Sequence, residues 1–439
     1  MKTWTFPAGG IHPPEEKHYT EHKAIEDAPL PRRAVVPLQQ HIGAPCIPLV
    51  KVKDQVLTGQ RIGEPKGFVS APVHATISGT VTAVTEMPHP LGREVLSVVI
   101  ESDGEDRWVK GITETEDFLS LSPDLLKARI FEAGIVGMGG ATFPTHVKLS
   151  PPKEKPIDTV ILNGVECEPF LTADHRLMLE HPAEILGGLQ ILMAVLGVKK
   201  GIIGIEANKP DAIDKFEKMA SSHEAITVYP LKVKYPQGAE KQLIKAVLRR
   251  EVPSGGLPMD VGVVVHNVGT SAAIYKAVRF GAPMIERITT VTGPGISNPK
   301  NLRVRIGTPF SDIITFCGGI KGKAGKIIAG GPMMGVSQYT LDVPVIKGTS
   351  GILVFREEDL GLADSNPCIR CGKCLEACPI RINPSLLGIY VEAGVMGELK
   401  VHHVLDCIEC GSCAYICPAR RPLVHLLRYG KAEVLAKKK

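Results

Sequence analysis

The sequence predicts a multi-domain α/β protein, and three observations carry that. A chain of 439 residues is longer than the ~250–300 at which single cores stop growing. Its centre alternates strand-like and helix-like runs, the pattern of a sheet with helices on its faces. Its last part carries one cysteine block twice: Cys368, Cys371, Cys374 and Cys378 before Pro379, then Cys407, Cys410, Cys413 and Cys417 before Pro418. Four units follow, at 1–110, 120–282, 285–350 and 355–439. Hydrophobic residues at 44% and charged residues at 22% describe an ordinary globular composition.

Residues 1–30 read as irregular. From 34 to 102 short apolar runs alternate with turns, which predicts a small all-β domain. The stretches Asp54 to Gly63 and Ala71 to Val81 resemble the barrel-sandwich fold of biotinyl and lipoyl carriers. No Lys stands between Gly67 and Ala83, where that resemblance expects the modified lysine. A structural or partner-docking role is therefore expected of this domain.

In the central unit the pattern predicts strands at 159–163, 201–206, 225–229 and 261–265. Helices are predicted at 125–133, 183–196, 210–219 and 238–249, the third with Pro210 in its first turn. Pro230 is read as the stop of the third strand. Residues 288–345 return to short strands with Gly/Pro turns and predict a β-grasp module. A mostly helical segment at 384–399 joins the two cysteine blocks.

Each block reads C-x2-C-x2-C-x3-C-P, the bacterial iron–sulfur run. Zinc sites usually use separated C-x2-C pairs, so the triplets favour two [4Fe–4S] clusters. The likeness to two-cluster ferredoxins implies a crossed assignment. Cys368, Cys371, Cys374 and Cys417 would hold one cluster, and Cys407, Cys410, Cys413 and Cys378 the other. Cys46, Cys167 and Cys317 are scattered, so no disulfide framework is visible, and a reducing compartment is expected. The opening residues Met1 to Pro7 lack the apolar stretch of a signal peptide, and the apolar run at 187–198 is too short to span a bilayer. Net charge is +5, concentrated in a basic tail holding Arg420, Arg421, Arg428, Lys431, Lys437, Lys438 and Lys439 against the single acid Glu433. That tail suits a partner, an anionic membrane surface or a frayed end. No nucleic-acid module is visible.

The second informative stretch runs from Gly134 through Gly137, Gly139 and Gly140 to Lys148. Glycines let backbone amides approach a phosphate, and a nearby Lys adds charge. Polar residues crowd past the strand ends, in Asn163-Gly164-Val165-Glu166-Cys167-Glu168-Pro169, in Tyr235 to Glu240, and in Asn267 to Thr270. Carboxyl ends of strands are where open α/β sheets bind ligands.

The patterns G-x-G-G-A-x-F-P-T-x-x-K, N-x-x-E-x-E-P and N-V-x-T resemble the flavin- and NADH-binding subunit of respiratory complex I. The whole order, from the opening T-F-x-x-G-G-I-H-P to the twin cysteine blocks, resembles the C subunit of the Rnf ion-translocating ferredoxin:NAD oxidoreductase family. The resemblance implies a Rossmann-like nucleotide domain binding FMN and NAD(H). It places Gly137, Gly139, Gly140, Lys148, Asn163, Glu166, Asn267 and Thr270 on FMN, and Ala141, Phe143, Glu168, Tyr235 and Glu240 on or near the nicotinamide nucleotide. Gly140, Glu166 and Glu240 would form the reacting centre. Two positions depart from the family pattern, Val165 for an Asp and Ala239 for a Glu, and both remove polar contacts near the flavin.

NAD(H) exchanges two electrons at once and cubanes one, so a flavin between them is chemically expected. The expected role is an enzyme subunit peripheral on the cytoplasmic face of the membrane. Its partners would be other subunits of an electron-transport complex, including an iron–sulfur subunit that takes electrons from ferredoxin. Two alternatives stand beside it: the cobalamin reductase of a bacterial microcompartment, which lacks the full β domain at 30–105, and a non-catalytic electron-wiring adaptor.

Overall fold

The computed structural model describes residues 2–111, 114–361 and 364–436. Lys437, Lys438 and Lys439 of the basic tail lie outside these.

Strands Thr159–Gly164, Gly201–Glu206, Ile226–Leu231 and Val263–Asn267 form one parallel sheet. Their spatial order is third, second, first, fourth. Val160, Leu162, Ile203 and Ile205 bury one face under helices Pro123–Glu132, Pro182–Leu196, Pro210–Ala220 and Val268–Phe280. Ile161, Ile202, Val263 and Val265 bury the other against Glu240–Leu248. Both faces are covered, so these strands read as unbroken apolar runs. Each such buried side chain contributes roughly 1.5–3 kcal/mol. Pro230 does not stop its strand but sits inside it, because Ile226–Leu231 is an edge strand of this sheet and an edge tolerates a missing N–H. The chain reverses direction across the sheet between the first and fourth strands, which opens a crevice at their carboxyl ends.

The N-terminal β domain packs two antiparallel sheets around Val36, Leu38, Ile62, Ile77, Val81 and Val98. Residues 2–27 do not belong to it. They run as a strap across the other domains. Trp4 bridges to Leu231 on the outer edge of the central sheet and packs on Tyr229. Strand Ile25–Asp27 then joins the third domain's sheet, pairing with Asn301 to Arg303. That sheet has six strands and also takes in Gly351–Arg356, so the third domain continues past 350. Helix Phe310–Phe316 packs on it.

The cysteine domain is built from short helices closed by Leu423–Ala436, which packs on Pro384–Glu392 through Leu387, Val391 and Leu427. Much of the basic tail is therefore ordered structure. Arg421 pairs with Glu392, Arg428 with Glu409, and Lys431 donates to Glu409 and to the Cys407 carbonyl. No single helix among the described residues is long and apolar enough to cross a membrane. The bent pair Ala173–Glu180 and Pro182–Leu196 passes a length and composition test together, but its apolar side chains are buried in the central domain.

Candidate functional site

The crevice is framed by two asparagines in register, Asn163 and Asn267. Asn267 caps helix Val268–Phe280 through the Gly269 amide and donates to Asp174 at 2.6 Å. Asn163 donates to the Gly238 carbonyl and accepts from the Val165 amide. Over them lies the glycine loop. Thr270 accepts from the Met138 amide at 2.9 Å and fixes its start. A Cβ on Gly139 would stand 2.8 Å from that of Asn267, so glycine is required for the approach. A Cβ on Gly140 meets nothing within 4 Å and points into open space. Among the described residues the amides of Gly139, Gly140, Ala141 and Thr142 donate to no group of the chain. Free amides around an open space fit an anionic nucleotide. Lys148 stands at the end of the short helix Thr145–Lys148, donating to Glu240 and to the Val265 carbonyl, both at 2.8 Å. Phe143 is half-buried, and its carbonyl accepts from Gly137.

The loop after the first strand is held in an unusual shape. Glu166 and Phe170 both take left-handed backbone, with φ of 49° and 68°, at a cost of about 1–2 kcal/mol each. The Glu166 carboxylate accepts from the Asp174 and His175 amides and so caps helix Ala173–Glu180. From below, Lys17 of the strap donates to the carbonyls of Glu166, Glu168 and Leu171 at 2.9, 3.1 and 2.6 Å. Lys209, also buried, donates to the Val165 carbonyl at 2.8 Å. Asp174 is pushed up to about 6 by burial and by the Glu166 charge beside it. Arg287, from the third domain, is buried against these acids and donates to the Met138 carbonyl. Lys347 joins three domains, donating to the carbonyls of Pro72 and of Gly134 just before the glycine loop. Beside it Arg61 meets Glu132, and His146 contacts the Phe68 carbonyl, so the β domain braces this loop. Sequence reasoning missed Lys17, Asp174, Lys209, Arg287 and Lys347. In a sequence a buried Lys looks like a solvated one.

Glu168 and Tyr235 point away from the crevice. Glu168 accepts from the Met333 and Met334 amides of the third domain, and burial pushes its carboxyl up to about 7. Tyr235, 2% exposed, donates its hydroxyl to the Cys410 carbonyl at 2.7 Å. Ile11 and Tyr235 bridge, and Gly10 donates to the Ala377 carbonyl.

The eight cysteines separate into two groups that mix the blocks. Cys368, Cys371, Cys374 and Cys417 line one cavity of about 410 Å³ with Ile369, Leu375 and Arg421. Cys378, Cys407, Cys410 and Cys413 line a tighter one of about 20 Å³. No three His, Cys, Asp or Glu side chains among the described residues are grouped to hold a single metal ion. Four thiols around one cavity fit a cubane, which spreads its thiolates over separate irons. The second group lies against the central domain, while Cys371 of the first is exposed.

Known proteins place each unit. Residues 4–105 match the family profile of the RnfC barrel sandwich hybrid domain, 130–276 the Nuo51 FMN-binding domain, 288–337 the SLBB domain and 361–418 the 4Fe-4S dicluster domain. The C subunit of the proton-translocating ferredoxin:NAD(+) oxidoreductase complex of Clostridium ljungdahlii is 52% identical, over 97% of this chain and 93% of its own. Its counterpart from the Na(+)-translocating complex of Acetobacterium woodii is 49% identical, over 100% and 99%. The C subunit of the ion-translocating oxidoreductase complex of Rhodobacter capsulatus is 45% identical, over 97% and 82%. The barrel-sandwich match and these full-length relatives set aside the cobalamin-reductase alternative. The chain belongs to the RnfC family, the C subunits of the Rnf ion-translocating ferredoxin:NAD(+) oxidoreductase complexes.

Proposed function

We propose that this chain is the NAD(H)-reacting subunit of a membrane-bound complex and conducts electrons between a partner and the switch-point crevice. Its central domain is read as Rossmann-like and its third as a β-grasp module, with the chain peripheral on the cytoplasmic face. The observation that carries the reading is the contact between the second cysteine group and the central domain. Tyr235 reaches the Cys410 carbonyl from the same segment that leads into Glu240, and Glu168 stands two residues from Glu166.

When bound, two [4Fe–4S] clusters supply one-electron transfer, and FMN supplies the exchange between single electrons and a hydride. Cys368, Cys371, Cys374 and Cys417 would hold the outer cluster, and Cys378, Cys407, Cys410 and Cys413 the inner one. Gly137, Gly139, Gly140, Lys148, Asn163, Glu166, Asn267 and Thr270 would hold FMN. Of these, Asn267, Thr270 and Glu166 shape the cradle by fixing backbone, whereas Gly139 and Gly140 present free amides. Ala141, Phe143, Lys148 and Glu240 border the open side where a nicotinamide nucleotide would enter. Glu168 and Tyr235 instead seal the cluster side against water.

The test is Gly140→Val in the flavin- and iron-loaded protein. The new side chain has room to fold, since nothing stands within 4 Å, but it fills the open space. NADH should bleach the clusters of the natural chain and not of the variant, while dithionite bleaches both. Near-normal NADH-driven bleaching in the variant would remove the crevice from the pathway and leave the adaptor reading.

A further inference from the structure

We infer that Gly9, Gly10 and Ile11 of the strap are positioning residues for the electron step between the crevice and the inner cysteine group, an inference that rests on the function proposed above. These three residues lie between the two bodies that the step joins. On one side Ile11 and Tyr235 exchange both backbone hydrogen bonds, at 2.8 and 2.9 Å, on the segment that leads into Glu240. On the other the Gly10 amide donates to the Ala377 carbonyl at 2.9 Å, and Gly9 lies against the Cys378–Pro379 peptide. A Cβ on Gly9 would overlap the Cys378 carbonyl and stand 2.7 Å from the Pro379 Cα, well inside ordinary contact. One on Gly10 would stand 2.9 Å from the Tyr235 carbonyl oxygen. Both glycines are left-handed, with φ of 70° and 86°, so space and backbone each demand glycine here. Ile11, 5% exposed, fills the remaining wedge with Tyr235, Ala377 and Cys410.

Cys378 is the thiol that the first block lends to the second group. Its backbone is where the placing of the cysteine domain is passed to the inner group. Direct bonds hold that domain at other points: Tyr235 to the Cys410 carbonyl, Gln242 to the Pro379 carbonyl at 3.4 Å, and Ser254 to Asp406 at 2.6 Å. The strap adds a spacer one backbone thick, whose bulk fixes how closely Cys378 approaches Tyr235. In the step itself NADH gives up a hydride and leaves as NAD+. The two electrons pass singly to two oxidised cubanes, each reduced by one, and the proton goes to solvent. Transfer through protein falls steeply with distance. The thickness of the spacer therefore sets the rate of the second half of the step without touching the first. Glycine is the thinnest residue, and two in succession bring the cysteine domain into backbone contact with the strap.

The experiment mixes NADH rapidly with the full chain loaded with both clusters and flavin. Gly9→Val is compared with the natural chain and with Gly394→Ala, at a left-handed glycine of the cysteine domain (φ 71°) whose Cβ would meet nothing within 4 Å. Iron content, flavin content and bleaching by dithionite confirm that each variant is loaded. In Gly9→Val the flavin should bleach at the natural rate, with unchanged half-saturation by NADH, while the clusters bleach about tenfold more slowly or worse. The EPR signal of the inner cluster should shift and that of the outer one should not. The Ile11 and Tyr235 amides should exchange hydrogen faster, because the bridge between them is pushed apart. Gly394→Ala should match the natural chain throughout. If Gly9→Val does not hold its iron, Ile11→Ala takes its place: it keeps both glycines and should slow cluster bleaching about threefold. Cluster bleaching at the natural rate, an equal slowing of the flavin, or an equal loss in Gly394→Ala overturns the inference. If NADH bleaches neither flavin nor clusters in the natural chain, the proposed function fails instead. Hydrogen exchange then decides the positioning role alone, and unchanged exchange at Ile11 and Tyr235 in Gly9→Val overturns it.

Discussion

Replacing Lys17 by Met should loosen the loop that separates the nucleotide crevice from the inner cysteine group. Lys17 is buried, and its ammonium is the donor to three carbonyls, those of Glu166, Glu168 and Leu171. Methionine keeps most of the volume and removes all three bonds. A buried acceptor left without a donor costs about 1–3 kcal/mol, so three of them set an upper range of about 3–9 kcal/mol. Releasing a buried ammonium from its desolvation recovers several kcal/mol of that. A net loss of about 3 kcal/mol is expected, or roughly a 150-fold rise in local opening. The two left-handed residues of the loop add to the tendency to relax once the anchor is gone. Hydrogen exchange on the loaded protein reads this directly. The Asp174 and His175 amides, which donate to Glu166, should exchange about two orders of magnitude faster, with peptides of the barrel core unchanged. Flavin should also be lost more readily on dilution. If loop amides exchange within about threefold of the natural chain, Lys17 is a passenger and the strap does not position the site.

Two further outcomes follow from the geometry. Cys378→Ala should damage the cluster that Cys407, Cys410 and Cys413 would hold, and EPR showing loss of the other signal alone would break the crossed assignment. The barrel-sandwich domain should lose stability in mild acid. Burial holds His74 at about 3 and His89 at about 4 in the folded chain, against ~6.5 unfolded. Their contribution is complete above pH 6.5 and declines as pH falls toward 4 and then 3, because only the unfolded chain takes up those protons. Between pH 6.5 and pH 5.5 each should cost about 1 kcal/mol, read as faster exchange in peptides around 73–100 and flattened by His74→Gln/His89→Gln.

The regular elements of the central domain are legible in the sequence because their apolar periodicity is local. Gly201–Glu206 appears with the bounds the pattern gives, and Pro182–Leu196 within a residue of them. Contacts that join distant residues are not legible. The strap reads as irregular, since its first residues find their partners on the edge strand Ile226–Leu231 and its strand Ile25–Asp27 lies beside Lys300–Arg305. Gly351–Arg356 falls across the expected boundary because nothing in its own composition says which sheet it completes. Of the site, the glycines and cysteines are legible because their chemistry demands those residue types at short spacing. The direction of Glu168 and Tyr235 is not, because a motif gives positions and not the way a side chain turns.

The strap also sets a schedule for synthesis. Asn301 donates to the carbonyl of Thr20, a separation of 281 residues. At about 5–20 residues per second a ribosome needs roughly 15–60 s to make that stretch. For that interval the segment has emerged without its sheet, and Lys17 has emerged long before the Glu166–Leu171 loop it will anchor. The barrel-sandwich domain, whose strand contacts close within residues 33–102, can fold meanwhile, but the path from crevice to inner cysteines cannot be completed. Flavin inserted before the third domain is made would therefore enter a chain whose strap is still loose, whereas the clusters, whose cysteines at 368–417 are made last, can be inserted only after the strap's partner sheet exists.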